Sequence, residues 1–552
     1  MLAGNSLSEG MWLDWTLGML AWARDRGELL WNEKPEICIA VAAVAATYYL
    51  WRRLSKPAPP KWWKAADPSA TIEKTKVVGH GKCELEDIPT LVSEMRHFWK
   101  AGYPLSYNMR IAQLKAAQRL LAENEEDLIT AINKDLGRHR VEIGMYDTWL
   151  TMKECNNLIS NLGRYMQPVQ KGFSLMTYPS KQWMMKEPYG TVLVIGTWNY
   201  PLQLLLVPML GAIAAGNNCI LKSSVISRHT CELLGELIPK YMDPRVVSII
   251  GPGYDRDRLC MEALLKERFD YVFFTGNPDI GKMVMRACAD NLTPCSLELG
   301  GKNPVIVAED ADVWLAAKRT LWGRMMNAGQ QCISPDYVLI DRKLLPKFEE
   351  ACQYYIKRFY GSMKLGNIVS DRHMARLSGI LDSHGGKVIA GGKYNTKERY
   401  IEPTVVLVKD VHSSLMKDET FGPILAVLPV DSLDEALDIV NSREKPLSLY
   451  IYTKSDATAH KITHQTSSGG VTVNAVVWHA GHPELPFGGV GHSGMGRGYH
   501  GEYTFLTFTH QKPVLVKDSP SWWNGALVDP FLIYPPWDGL REWVIYWLMR
   551  LG

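Results

Sequence analysis

Four short segments carry side chains that could do chemistry together. Cys332 lies in NAGQQCISP, Glu298 in LELGGKNP, Asn199 in GTWNYP, and Glu419 with Phe421 in ETFGPI. A thiolate attacks carbonyl carbon well if local donors lower its pKa from about 8.5. The attack creates an oxyanion, which an asparagine amide and a backbone N–H can stabilise; losing one such donor costs about 10²–10³ in rate. Releasing the covalent product with water then needs a base, and a partly buried glutamate with a raised pKa suits that task. Each segment taken singly has a plainer reading. Asn199 could cap a turn, Glu298 could end a solvated strand, and Cys332 could be one buried thiol among ten.

The elements around these segments alternate. TVLVIG, NCIL, VVSII, YVFFTG, PVIVA and YVLI are β-rich runs, most of them followed by Gly, Pro or a helical pattern. Strands alternating with helices predict an α/β fold with parallel sheets covered on both faces, and ligands beyond the carboxyl ends of the strands. No G-x-G-x-x-G is present. YVFFTGNPDIGKMV instead runs a strand into Gly276, Asn277 and Gly281 and then into a helix, whose N-terminus favours an anion such as a pyrophosphate. A tight strand-to-helix turn without a ligand would look the same.

Of the 552 residues, 46% are hydrophobic and 22% charged, which is globular composition with room for two or three domains. A net charge of +3 with scattered Lys and Arg gives no argument for a nucleic-acid partner. The ten cysteines form no C-x-x-C pair and no close Cys/His cluster, so neither a metal site nor a disulfide framework is expected. A reducing, cytosol-facing compartment fits best.

Tryptophans crowd both ends of the chain. From Ile37 to Trp51 runs ICIAVAAVAATYYLW, without charge, followed by Arg52, Arg53, Lys56, Lys61 and Lys64. Such a helix rises about 22 Å against a hydrocarbon core of about 30 Å, so it is a borderline span, and a buried core helix is the alternative. If it spans, the basic flank keeps the downstream chain in the cytosol. Upstream, MWLDWTLGMLAWARDR reads as an interfacial helix. KPAPPKWWKAADPS reads as a linker. At the other end Leu540, Trp543, Val544, Trp547, Leu548 and Leu551 share one helical stripe, suited to docking on the protein or on a membrane.

The four segments, with Glu298 and Cys332 34 positions apart and Asn199 and Cys332 133 positions apart, resemble the signature of the aldehyde dehydrogenase superfamily from about residue 85 to about residue 515. LPFGGVGHSGMGRGYHG, Leu485 to Gly501, is most similar to the class 3 and fatty aldehyde dehydrogenase branch. The residue patterns of the N-terminal part divide it into a candidate interfacial helix over 1–34, a candidate anchor over 35–51 and a linker over 52–84, and the rest of the division follows from the resemblance. A Rossmann-like NAD(P)-binding domain then occupies 85–299, with a hairpin near 170–188 in the oligomerisation arm. A catalytic domain over 300–485 comes next, then a return and oligomerisation segment over 486–515 and a tail with an amphipathic helix over 540–551. The arm itself is expected at roughly 494–510, where it would extend a neighbouring sheet.

It also implies roles: Cys332 as nucleophile, Asn199 as oxyanion donor and Glu298 as base. Thr197, Trp198, Lys222, Gly276, Asn277, Gly281, Gly300, Glu419 and Phe421 would hold the cofactor, with Lys222 on the adenosine ribose and Glu419 on the nicotinamide ribose. Tyr200 would line the substrate tunnel, and Trp478 is a candidate tunnel or mouth residue, with a packing role as the alternative. The family usually places a glutamate three residues after this lysine, where it binds the ribose and repels a 2′-phosphate; here the run is Ser223-Ser224-Val225. NAD is the expected cofactor, with weakened discrimination against NADP. The implied activity is oxidation of medium- or long-chain aliphatic aldehydes to acids by a membrane-associated homodimer. Its catalytic part would face the cytosol at the endoplasmic reticulum, or else at a lipid droplet or the mitochondrial outer membrane. A coenzyme-A-acylating dehydrogenase or acyl reductase, and a non-catalytic membrane scaffold of the same fold, remain alternatives. Animal members of this branch carry their anchor after the C-terminal helix, whereas here the candidate anchor is N-terminal.

Overall fold

The apolar runs become the central, buried strands of two mainly parallel sheets. The computed structural model describes residues 85–101, 106–172, 177, 180–251, 257–517 and 534–551. The proposed interfacial helix, anchor and linker over 1–84 lie outside the described residues.

A small sheet orders β1 (Val169–Gln170), β2 (Ser180–Pro188) and, from near the end of the chain, β18 (Thr509–Lys517). The six-stranded sheet contains β3 (Thr191–Ile195), β4 (Asn218–Lys222), β5 (Val247–Ile250), β6 (Tyr271–Thr275) and β7 (Cys295–Glu298), closed at one edge by β17 (Gly494–Met495). Its order is β17-β7-β6-β3-β4-β5, with only β17 antiparallel. The chain leaves β3 towards β4 and β5, then returns to place β6 on the other side of β3. The crevice for a ligand therefore opens beyond the carboxyl ends of β3 and β6.

The second sheet contains β8 (Asn303–Val307), β9 (Pro335–Asp341), β10 (Lys387–Ala390), β13 (Thr404–Leu407), β14 (Ile424–Val430), β15 (Ser448–Tyr452) and β16 (Gly470–Val473). Its order is β10-β13-β14-β9-β8-β15-β16, and β11 (Tyr394–Asn395) with β12 (Tyr400–Ile401) makes a separate ribbon. β7 passes to β8 through four residues. The carboxyl ends of the first sheet thus meet the amino ends of β8, β9 and β14.

The helix Gln203–Ala215 is buried along its whole length, which explains its composition, QLLLVPMLGAIAA, with no polar face. It ends at Gly216 with φ +98°, a left-handed stop that a residue with a Cβ adopts poorly.

The arm expected at 494–510 is arranged differently. Gly494 and Met495 pair with β7, Glu502–Thr507 is a helix, and the long strand is β18, which pairs with β2 of its own chain from Thr509 opposite Pro188 to Lys517 opposite Ser180. Family spacing located the segment only roughly, because alternating polarity in THQKPVLVK is a weak strand signal.

Near the C-terminus, Gly539–Leu551 is helical, as the stripe predicts. No helix among the described residues is long and apolar enough to cross a membrane.

Candidate active site

The three chemical side chains meet where the two sheets face each other. Asn199 follows β3, Glu298 ends β7, and Cys332 stands three residues before β9. The turn before Cys332 is forced. Asn327, Ala328 and Gly329 have φ of +49°, +50° and +72°, and a Cβ on Gly329 would come within 2.1 Å of the Gly422 carbonyl. Three successive left-handed residues cost backbone energy, which the surrounding hydrogen bonds must offset. Asn327 Nδ2 donates to the Asn199 carbonyl at 2.8 Å, and Gln330 Nε2 donates to the carbonyls of Asn327 and Asn367.

Asn199 Nδ2 donates to the Gln330 carbonyl at 3.1 Å, which aims the amide at the nucleophile loop and leaves its second N–H available. Four acceptors at this junction are buried without a hydrogen-bond partner: Asn199 Oδ1, Glu298 Oε2, Asn327 Oδ1 and Glu419 Oε1. Buried polar atoms are rarely left so, and a bound molecule would supply what they lack.

Burial pushes the Glu298 carboxyl well above the usual carboxylate range. The Cys332 thiol is also raised, to about 12, by burial and by the charges of Glu419 and Glu298, against the pull of its own N–H and that of Ile333. A lowered thiol was expected; in the protein alone, low polarity and two carboxylates outweigh two backbone donors. Glu419 is raised to about 8 by burial and by Asp336, against the Gly301 N–H.

Other expected residues divide. A Cβ on Gly300 would lie 2.3 Å from Glu419 Oε2, so that glycine makes room for the carboxylate. Trp198 meets Phe421 edge-on at 5.5 Å, with Phe421 at φ +48°. Asn277 is primarily a helix cap, its side chain accepting from the Ile280 N–H, and Gly276 and Gly281 clear Phe274 and Leu299 respectively. Thr197 is half-buried at the β3 end of the crevice. Lys222 is paired with Asp257 at 2.6 Å. Tyr200 is buried beside the nucleophile loop, its hydroxyl donating to Gln331 Oε1 at 3.2 Å under the Arg138 guanidinium. Trp478 stacks on Trp322 at 5.9 Å and is 62% exposed, a surface position that fits the mouth and packing readings.

Sequence reasoning missed a clamp. Asp336, in β9, accepts from Lys302 Nζ at 2.9 Å, from the Thr420 N–H at 2.8 Å and from the Thr420 hydroxyl. Burial would raise this carboxyl, but Lys302, Arg324 and Thr420 hold it below its ordinary range. The clamp fixes the turn carrying Glu419 and Phe421. Lys302 lies inside LELGGKNP, yet only its partner 34 residues on reveals its job. Tyr499, 1% exposed and within electrostatic reach of Glu298 and Cys332, was missed too.

Residues 65–514 match the aldehyde dehydrogenase family. The chain belongs to that family. It is 40% identical to the rat aldehyde dehydrogenase, dimeric NADP-preferring, over 78% of this chain and 95% of that one. It is 37% identical to mouse aldehyde dehydrogenase family 3 member A2, over 83% and 94%. Among solved structures, the substrate-bound state of Staphylococcus aureus AldH superposes with a TM-score of 0.79 at 34% identity, covering 84% of this chain and 99% of that one. A Mycobacterium tuberculosis aldehyde dehydrogenase complexed with NAD+ superposes with a TM-score of 0.71 at 26% identity, covering 79% and 91%. This aldehyde dehydrogenase is accordingly an NAD(P)-dependent oxidoreductase. The orphaned Glu419 oxygen and the space that Gly300 leaves for its carboxylate fit a ribose hydroxyl donor, as a dinucleotide would bring.

Proposed function

We propose that this enzyme oxidises medium- and long-chain aliphatic aldehydes to free acids at a membrane surface, through a thioester on Cys332. The chemistry rests on one observation, the convergence of Cys332, Asn199 and the unpartnered Glu298 carboxyl at the sheet junction.

Cys332, once its thiol proton has passed to solvent, bonds through Sγ to the aldehyde carbon while the carbonyl electron pair moves to oxygen. The free Asn199 N–H and the Cys332 backbone N–H donate to that oxyanion. Glu419, with the space left by Gly300, would hold the ribose of NAD(P), which would supply the hydride acceptor for this carbon. Glu298 then takes a proton from a water that attacks the thioester, and Sγ departs as thiolate. A base held nearly unsolvated gains most by taking up a proton, as its raised pKa requires. Glu298 favours water over coenzyme A as acceptor.

The lipid substrate is supported by the helix Gly539–Leu551. Trp543, Tyr546, Trp547 and Met549 on it are 63%, 59%, 45% and 63% exposed. A helix of this length rises about 20 Å, too short to span but suited to lying in an interface. Each methylene the substrate buries adds about 0.8 kcal/mol, so chain length is rewarded wherever an apolar path exists. We place the enzyme on the cytosolic face of the endoplasmic reticulum, as a homodimer.

The test is NADH production by the full chain with hexadecanal and no coenzyme A. Activity is expected, with kcat/KM at least about tenfold above that for acetaldehyde, and its loss in Cys332→Ala. Equal kcat/KM for both aldehydes rejects the lipid substrate; a requirement for coenzyme A rejects hydrolysis.

A further inference from the structure

Beyond the carboxyl ends of β4 and β5 lies a pocket lined by Lys222, Ser223, Val225, Gly251 and Asp257, with the thiols of Cys231 and Cys260 at its floor. In an open parallel sheet this is where one end of a nucleotide rests. Lys222 is nearly buried, with its side chain 6% exposed, and its ammonium is bound by Asp257 Oδ1 at 2.6 Å and by the Ser223 carbonyl at 3.3 Å. Asp257 itself is 41% exposed, so its carboxylate borders both the lysine and the open pocket.

Val225 leaves β4 without a carboxylate of its own at this pocket. Asp257 brings one from a different element, the helix Asp257–Lys266 that comes after β5. We propose that Asp257 is the residue that makes this enzyme prefer NAD to NADP, a proposal that rests on the NAD(P) reading of this crevice. A carboxylate beside the ribose accepts from its hydroxyls and repels a 2′-phosphate. By holding Lys222, it also withholds a buried cation that could pair with that phosphate. The weak discrimination expected from Val225 alone then belongs to a protein without Asp257. The rat relative named as NADP-preferring is 40% identical, which leaves room for the opposite preference here.

The full chain is titrated with NAD+, NADP+, 5′-ADP and 2′,5′-ADP by isothermal calorimetry, which reads binding without turnover. The wild type is expected to bind NAD+ at least about tenfold more tightly than NADP+. Asp257→Asn should tighten NADP+ and 2′,5′-ADP by at least about tenfold, while NAD+ and 5′-ADP change less than about threefold. Asp257→Glu, which keeps the charge, should retain the NAD preference. Unchanged 2′,5′-ADP affinity in Asp257→Asn, an equal change for all four ligands, or equal effects of both substitutions would overturn the role of Asp257 alone. Failure of the wild type to bind either dinucleotide would overturn the cofactor reading with it.

Discussion

At the residue scale, burial gives Glu298 and Cys332 the same electrostatic preference for their protonated forms, and chemistry must work against it. In the proposed mechanism Glu298 must first be ionised to act as base, and burial then favours its taking a proton from water. Cys332 must become a thiolate, and with its thiol at about 12 only a small fraction is ionised near neutrality. An acid with a raised pKa stays neutral below it, so its thiolate fraction grows tenfold per pH unit until that value is reached. The rate of inactivation by iodoacetamide, in the protein free of nucleotide, should therefore climb about tenfold per unit between pH 7 and 9. A plateau beginning near pH 7 would show that local donors win over burial. These residues were legible in the sequence because their neighbours are so specific. The thiol's state was not, because it depends on Glu419, which is 87 positions away in the chain.

Elements matter through what they hold together. The turn bearing Glu419 and Phe421 belongs to no strand or helix, yet Asp336 fastens it to β9 through Thr420 while Lys302 ties it to the β7–β8 connection. Removing the charge of a fully buried partner strands the other ion, which costs about 3–5 kcal/mol. Asp336→Asn should lower unfolding stability by about 3 kcal/mol in denaturant titration, and raise KM for NAD(P) more than it lowers kcat. Stability within about 0.5 kcal/mol of the wild type, as for a neutral surface change, would remove the clamp from the account. Sheet membership was readable in runs such as TVLVI and YVFFT, whose lack of alternation signals burial on both faces. The position of β18 was not, because an edge strand with polar alternation carries little hydrophobic signal.

For the whole molecule, the exposed aromatic residues of Gly539–Leu551 are what the proposed membrane contact rests on. If that helix guides lipid substrates, deletion of residues 540–552 should raise KM for hexadecanal at least about fivefold, and KM for a short aldehyde by less than about twofold. Equal rises for both would assign the helix to stability instead. Flotation with vesicles of neutral phospholipid, with and without the helix, tests the proposed contact: unchanged flotation after the deletion would reject a membrane role for the helix.

Residue types in a fixed order were enough to point to the family and the α/β class, and to single out Cys332, Asn199 and Glu298 for the roles proposed above. Which distant groups share one environment emerged only on folding. Folding set the carboxylates around Cys332, joined Lys302, Asp336 and Thr420 into a clamp, and brought Asp257 beside Lys222 across 35 positions. Charge and burial act through space over a few ångströms, while a sequence records only adjacency along the chain.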